Sequence, residues 1–357
     1  AFIVLQLIGL AIVGFYPSLV NYLPARTYLT SHVAPPPMNP KLQDCLQEYK
    51  FAIYSEKEQE IRAAITDFEK SIPSNLPVDK LDIFEEHVEY ALDTFTLVKK
   101  LQKTEKEYNL FAQDYRDLHF SVRKKEKKIR KIEERIEKLK AEIRNLDNDK
   151  IEEKNKIDLK IENYELEIEE IIKDIPENWT ARNKEFQIIH KAKNTQTKRY
   201  RKNVDEAYDL LMQISLFIED AEKLENVKSE FNRIKINIEN EGYSDALSEI
   251  DNIFEKISEI SGVEEIANKL DDLYSALDAE EFNKEEINNI SNDTFDLVDQ
   301  ELIWRKSAAI DLLPKLKKYN QIIKNNIGLR LQSKLTKEQA KFVAACNADH
   351  KDISLNF

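Results

Sequence analysis

Histidine and cysteine are the side chains here best suited to ligating a metal or activating a nucleophile, and their spacing brings none of them together. His32, His87, His119, His190 and His350 are scattered, with no helical His pair and no carboxylate at ligand spacing. Cys45 and Cys346 are the two cysteines and belong to no Cys-x-x-Cys or Cys/His pattern. They read as free thiols, not as a disulfide framework or a zinc site. Acidic pairs such as Glu85-Glu86 and Glu133-Glu134 fall in helical stretches and read as solvated surface. No GxxxxGK[ST], GxSxG or GxGxxG sequence occurs. The expectation is a chain that is not an enzyme and carries no catalytic, cofactor-binding or metal residue.

Two basic clusters bear on binding. They are Arg123 to Lys131, interleaved with Glu126, and Lys191 to Lys202, which contains Lys198, Arg199, Arg201 and Lys202. Either can touch anionic headgroups, where each cation is worth about 1 kcal/mol; the plainer reading is a solvated helix flank. A net charge of −13 argues against a nucleic-acid partner, which calls for a basic footprint.

The elements that carry these residues follow from glycine and from hydropathy. There are five glycines, and none from Phe15 to Glu241. Tight turns with positive φ depend on glycine, so that stretch is expected to be helices with polar or proline-marked connections. The first 23 residues carry no charge, whereas 34% of the whole chain is Asp, Glu, Lys or Arg. An apolar run of about 20 residues is what crosses ~30 Å of hydrocarbon. Residues 1–24 therefore read as a transmembrane helix, apolar on every face. Tyr16 and Tyr22 stand at its interface, Arg26 is the first charge, and Pro17 and Pro24 fall near its end. Because the chain opens on Ala1, that helix reads as the last span of a longer membrane protein. A cleaved secretory leader and an independent single-pass anchor are the competing readings.

The segment Leu5-Gln-Leu-Ile-Gly-Leu-Ala-Ile-Val, followed by Phe15-Tyr-Pro-Ser-Leu-Val-Asn-Tyr-Leu-Pro, resembles the last transmembrane helix of the large permease subunit of tripartite ATP-independent periplasmic (TRAP) transporters. Tyr16 between Phe15 and Pro17, and Tyr22 where Trp is common, depart from that pattern. The resemblance covers roughly residues 1–30. It implies a bacterial inner-membrane protein, multi-pass when complete, that takes up organic acids by sodium symport. Its implied partners are the lipid bilayer, a small permease subunit and a periplasmic substrate-binding protein. The sodium and substrate sites of such a protein lie in earlier helices, so no transport residue carries over to this chain.

Beyond the membrane segment the pattern predicts an all-α fold. Residues 25–41, with Pro35, Pro36, Pro37 and Pro40, read as a stiff linker. Residues 42–120 read as a helical segment, with a stop at Ser71-Ile-Pro-Ser-Asn-Leu-Pro and a fresh start near Val78. Residues 121–175 carry two heptad seams, Ile129, Ile132, Ile136, Leu139, Ile143, Leu146 and Ile157, Ile161, Tyr164, Ile168, Ile171. Two arrangements are open: one continuous helix, or a reversal near Asn145–Lys150 that zips the seams into an antiparallel coiled-coil hairpin. The hairpin is preferred because it buries both seams within one chain. Residues 176–357 read as a small helical bundle, with Ala246-Leu-Ser-Glu-Ile and Ala276-Leu-Asp-Ala-Glu hinting at a repeated helical hairpin. Trp179 and Trp304 read as packing residues at helix junctions.

The functional expectation is the C-terminal part of a TRAP-type transporter subunit. Its coiled-coil extension would serve homo-oligomerisation or partner docking and is placed on the cytoplasmic side. The rival is a single-pass anchor presenting a coiled-coil scaffold.

Overall fold

The computed structural model describes residues 2–16, 18–31, 39–146, 150–279, 283–332 and 334–349. The chain is all-α, and no strand occurs among the described residues. In order the helices are α1 (Phe2–Phe15), α2 (Ser18–Leu29), α3 (Pro40–Glu69), α4 (Val78–Asn145), α5 (Ile151–Lys173) and α6 (Trp179–Glu219). There follow α7 (Ala221–Glu239), α8 (Tyr243–Ile257), α9 (Glu264–Leu277), α10 (Lys284–Asp311), α11 (Leu313–Ile323), a 3-10 turn (Ile327–Leu331) and α12 (Lys337–Asp349).

The apolar run at the start is not one helix. The expected span over 1–24 ends at Phe15, and a second helix begins at Ser18. A proline lacks the N–H that would continue the helix, and the residue before it is pushed out of the α region, which is where Tyr16 stands. At 14 residues, α1 is about 21 Å long. No helix among the described residues is long and apolar enough to cross a membrane. The linker is also shorter than 25–41, because α2 runs through Pro24 to Leu29 and α3 begins at Pro40. Pro35, Pro36 and Pro37 lie outside the described residues. Pro40 opens α3 at a position where its missing N–H costs nothing, and the Asn39 side chain caps that end by accepting from Lys41 N at 2.9 Å.

The chain divides into two compact units whose boundaries differ from the expected ones. Among the described residues, one comprises those of 2–96 with those of 201–349, the other those of 97–200. The expected division at 120 and 176 follows the order of the sequence; the observed one follows which segments pack together. In the first unit, the start of α4 puts Phe84, His87, Val88, Ala91 and Phe95 on a buried stripe. Asn203 of α6 donates to Tyr90 O at 2.6 Å and to Thr94 at 3.1 Å, which joins the two halves of the unit. The same unit holds a second core built by α7, α8, α9 and α10. The stripes Ala246, Ile250, Ile253, Ile257 and Ile266, Leu270, Leu273, Leu277 pack there with Phe231 and Ile234. The two Ala-Leu echoes fall on α8 and at the end of α9.

The cysteines correct the sequence reading: Cys45 on α3 and Cys346 on α12 form a disulfide across 301 positions. Spacing along the chain said nothing of this, because the return of α12 to α3 depends on the whole first unit.

In the second unit, Ile132 and Ile136 of α4 are buried with Ile157 and Ile161 of α5. Leu139, Ile143, Leu146, Tyr164, Ile168 and Ile171 are half-buried against them. Lys128 lies 2.7 Å from Glu167 and Lys125 lies 3.3 Å from Asp174, so positions ascending on α4 meet positions descending along α5. Asp147, Asn148 and Asp149, where the reversal was placed, lie outside the described residues. Tyr115, Val122, Trp179 and Phe186 form a further core in this unit, with Tyr115 stacked between Trp179 and Phe186.

Candidate functional site

Three buried polar groups in the first unit occupy positions that helical spacing reserves for apolar side chains. His87 is fully buried, and both its ring nitrogens are engaged. Nδ1 lies 2.6 Å from Ala207 O, a group that only accepts, so Nδ1 carries the proton. Nε2, 2.9 Å from Tyr319 Oη, then accepts from the phenol. Burial holds His87 down to about 4, so it is neutral at physiological pH. Burial also raises Tyr319 well above the usual phenol range. With both nitrogens committed, His87 ties α4 to α6 and α11.

Phe68 of α3 stacks on the Tyr319 ring at 4.3 Å and 4°. Beside this stack lies a cleft of about 400 Å³ whose mouth carries Glu60, Asp67, Lys315 and Lys318. The cleft is large enough for a small ligand. Its polar groups balance in charge, and none of them points to one ligand class.

Arg305 of α10 is fully buried and donates four times: Nε to Glu301 at 2.9 Å, Nη1 to Phe217 O and Ser261 O at 2.9 Å each, and Nη2 to Gly262 O at 2.7 Å. A guanidinium fork reaches three carbonyls where an ammonium cannot. Gly262 sits at φ +70°, and a Cβ there would stand 2.5 Å from the Phe217 ring. Asp220 accepts from Ser261 N at 2.9 Å and pairs with Lys223, contacts that hold its carboxyl below the usual range despite burial.

Lys50 is the third, at 1% exposure on α3. Burial first and Arg330 second bring it down to about 7, with Asp205 acting the other way. Arg330 grips Asp205 by two nitrogens (2.6–3.1 Å) and donates to Gln43 at 2.8 Å. Arg201 reaches Asp44 at 2.6 Å.

The residues singled out in the sequence are otherwise dispersed. His119 and His190 sit in the aromatic core of the second unit, each lowered mainly by burial. His32 and His350 lie outside the described residues. Glu85, Glu86, Glu133 and Glu134 are exposed. In the first basic cluster Arg123, Lys125 and Lys128 pair with Glu126, Asp174 and Glu167. In the second, Arg201 and Lys202 pair with Asp44 and Glu206. Trp304 is buried beside Arg305 and Lys80. No group of three or more His, Cys, Asp or Glu side chains among the described residues could hold a metal ion.

What remains as a candidate site is a surface, the N-terminal apolar helix and its seat. Ile3, Leu5, Leu10 and Phe15 are 71%, 68%, 69% and 82% exposed, and Val4, Leu7, Ile8, Ile12 and Val13 are exposed beside them. The apolar area left in water is on the order of 1,000 Å², against the few hundred that a soluble monomer leaves. By contrast, α2 is seated: Leu29 is buried with Cys45, Leu46, Leu329, Val343 and Ala344, and Tyr22 packs on the same cluster. No protein-family model, curated protein or solved structure matches the chain.

Proposed function

We propose that this chain is the helical extension of a membrane transport subunit of the TRAP large-permease type. Its apolar N-terminal segment is packed in the bilayer against other spans, and its helical body docks a partner protein. The observation that carries the reading is the exposure of α1, apolar all round and left uncovered by the described residues. Gln6, Gly9 and the apolar residues between and after them resemble the permease pattern. At about 21 Å, α1 is shorter than the ~30 Å hydrocarbon core, so on either membrane reading the crossing takes in residues beyond Phe15. In the complete protein, sodium-coupled uptake of organic acids would belong to the upstream helices, with the small permease subunit and a periplasmic binding protein as partners. The antiparallel pairing of the α4 and α5 seams supports a coiled-coil hairpin as the docking or self-association element, and the acidic body gives no footprint for nucleic acid.

The same pairing supports a second reading, a membrane-anchored coiled-coil scaffold with no transport role. The coding sequence upstream of Ala1 separates the two. About ten further apolar spans are expected for a permease; a short basic segment would sink the transport reading and leave the scaffold. Flotation tests the element common to both. The full chain is expected to rise with neutral phosphatidylcholine vesicles, and a Leu5→Glu/Leu10→Glu variant to stay at the bottom. Equal flotation of the two would remove α1 as the membrane contact.

A further inference from the structure

Cys45 and Cys346 lie on helices at opposite ends of the described chain, and their Cα atoms stand 5.7 Å apart. Cys45 is fully buried, in a cluster with Leu29, Leu46, Leu335 and Val343. We propose that the helical body folds in an oxidising compartment, outside the cytosol, and that the Cys45–Cys346 disulfide is a clamp fixing α12, and through it α2, to α3. This inference does not rest on the transport reading, because it concerns the thiols alone.

Three observations carry it. Disulfides persist in oxidising compartments and are rare in the cytosol, where thiols are kept reduced. The pair is built as a structural bond and not as a reactive one. It belongs to no Cys-x-x-Cys motif, Cys45 is buried in an apolar cluster against which Cys346 packs half-buried, and a carboxylate beside Cys346 Sγ, Glu48 at 3.7 Å, opposes a thiolate there. Finally, the bond falls where the fold most needs one. α12 has 13 residues, too few to be a stable helix alone, and it is the last described element. It packs on both α2 and α3, and Leu335 N, just before it, donates to Leu29 O at the end of α2 at 3.4 Å. Fixing α12 to α3 therefore also holds the seat of the segment that carries the apolar α1.

Closure is a thiol–disulfide exchange. The two thiols of Cys45 and Cys346 give up two protons and two electrons to a protein disulfide of the compartment's thiol oxidase, which leaves as its dithiol. Two free thiols would suit the cytoplasmic placement expected from the sequence; a disulfide does not.

The test is thiol counting on the full chain, acid-quenched in cells, denatured and alkylated with a maleimide polymer that retards the band once per thiol. Native cells are expected to give no adduct before reduction and two after it. Cells lacking the thiol oxidase are expected to give two adducts without reductant. Two adducts from native cells would overturn the bond, and none from oxidase-deficient cells would overturn the compartment. The clamp is read separately by trypsin. Cys346→Ser is expected to be cut at Lys334 or Lys337 at least several-fold faster than the parent, and equal rates would show that the bond holds nothing the packing does not.

Discussion

Tyr319 Oη donates to Nε2 of His87 at 2.9 Å, while the opposite ring nitrogen donates to Ala207 O at 2.6 Å. A neutral imidazole, with one donor and one acceptor nitrogen, satisfies both neighbours, and burial makes a charge on the ring costly although Ala207 O favours one. Burial in the folded chain therefore disfavours protonation and holds His87 down to about 4.

The sign of the pH dependence follows. Unfolded, His87 takes up its proton near pH 6.5; folded, near 4. Its contribution is complete above about 6.5 and is lost as the pH falls toward 4, a change of roughly 3 kcal/mol. His87→Phe leaves Tyr319 and Ala207 O without this partner and is expected to cost about 2–4 kcal/mol at pH 7. The gap between parent and variant should narrow steadily from pH 7 to pH 4 in urea unfolding. A gap independent of pH would show that His87 is not held neutral.

Arg305 yields a sharper expectation, because its four bonds end on a side chain, on the Phe217 carbonyl and on the two successive carbonyls of Ser261 and Gly262. Arg305→Leu strands the carbonyls and Glu301, and is expected to cost about 3–5 kcal/mol. Arg305→Lys keeps the charge but cannot fork, so it should recover less than half of that loss. Gly262→Ala meets both a positive φ and the Phe217 ring and should cost at least 2 kcal/mol by the same route. Thermal unfolding of the three variants ranks them, and full recovery by lysine would reduce the site to a simple charge.

These three buried polar groups show what the sequence reading could and could not reach. The helices α3, α4 and α6 were legible because glycine is absent and the apolar period is 3.6. Lys50 follows Leu46 by four; His87 follows Phe84 by three; Arg305 follows Val298 and Leu302 by seven and three. A polar residue on an apolar stripe is a readable sign of a buried, paired group. The partners are not readable in this way. Ala207, Tyr319, Phe217 and Gly262 lie 40 to 240 positions away, and their approach is decided by the packing of the whole unit. The Cys45–Cys346 pair failed for the same reason. The break after Phe15 is within reach of the sequence, because Pro17 can divide two helices as well as end one.

That disulfide encloses nearly the whole described chain. In the loop-entropy account, closing a loop of this size stabilises by about 5 kcal/mol, and measured bonds give roughly 2–5. Cys45→Ser/Cys346→Ser is expected to lower the stability of the first unit by an amount in that range and to leave the second unit unchanged. Circular dichroism follows the whole chain, and Trp179 fluorescence in a Trp304→Phe background reports the second unit alone. Equal losses in both units would mean that they do not unfold separately.

The α4 and α5 seams carry the last expectation. Side chains at Arg130 and Glu170 are exposed, so spin labels there leave the buried isoleucines intact. If the seams zip in opposite directions, the labels face each other across two packed helices at about 10–20 Å. If the chain continued as one rod, 40 residues at 1.5 Å each would separate them by about 60 Å. Ile136→Asp puts a charge among Ile132, Ile157 and Ile161 and should broaden the short distance or abolish it. Glu167→Lys reverses the pair with Lys128, an exposed contact worth at most about 1 kcal/mol, and should leave the distance unchanged. The contrast between the two variants tells whether the buried seam or the surface charges hold the arms together, and a distance near 60 Å in the parent would end the docking role assigned to them.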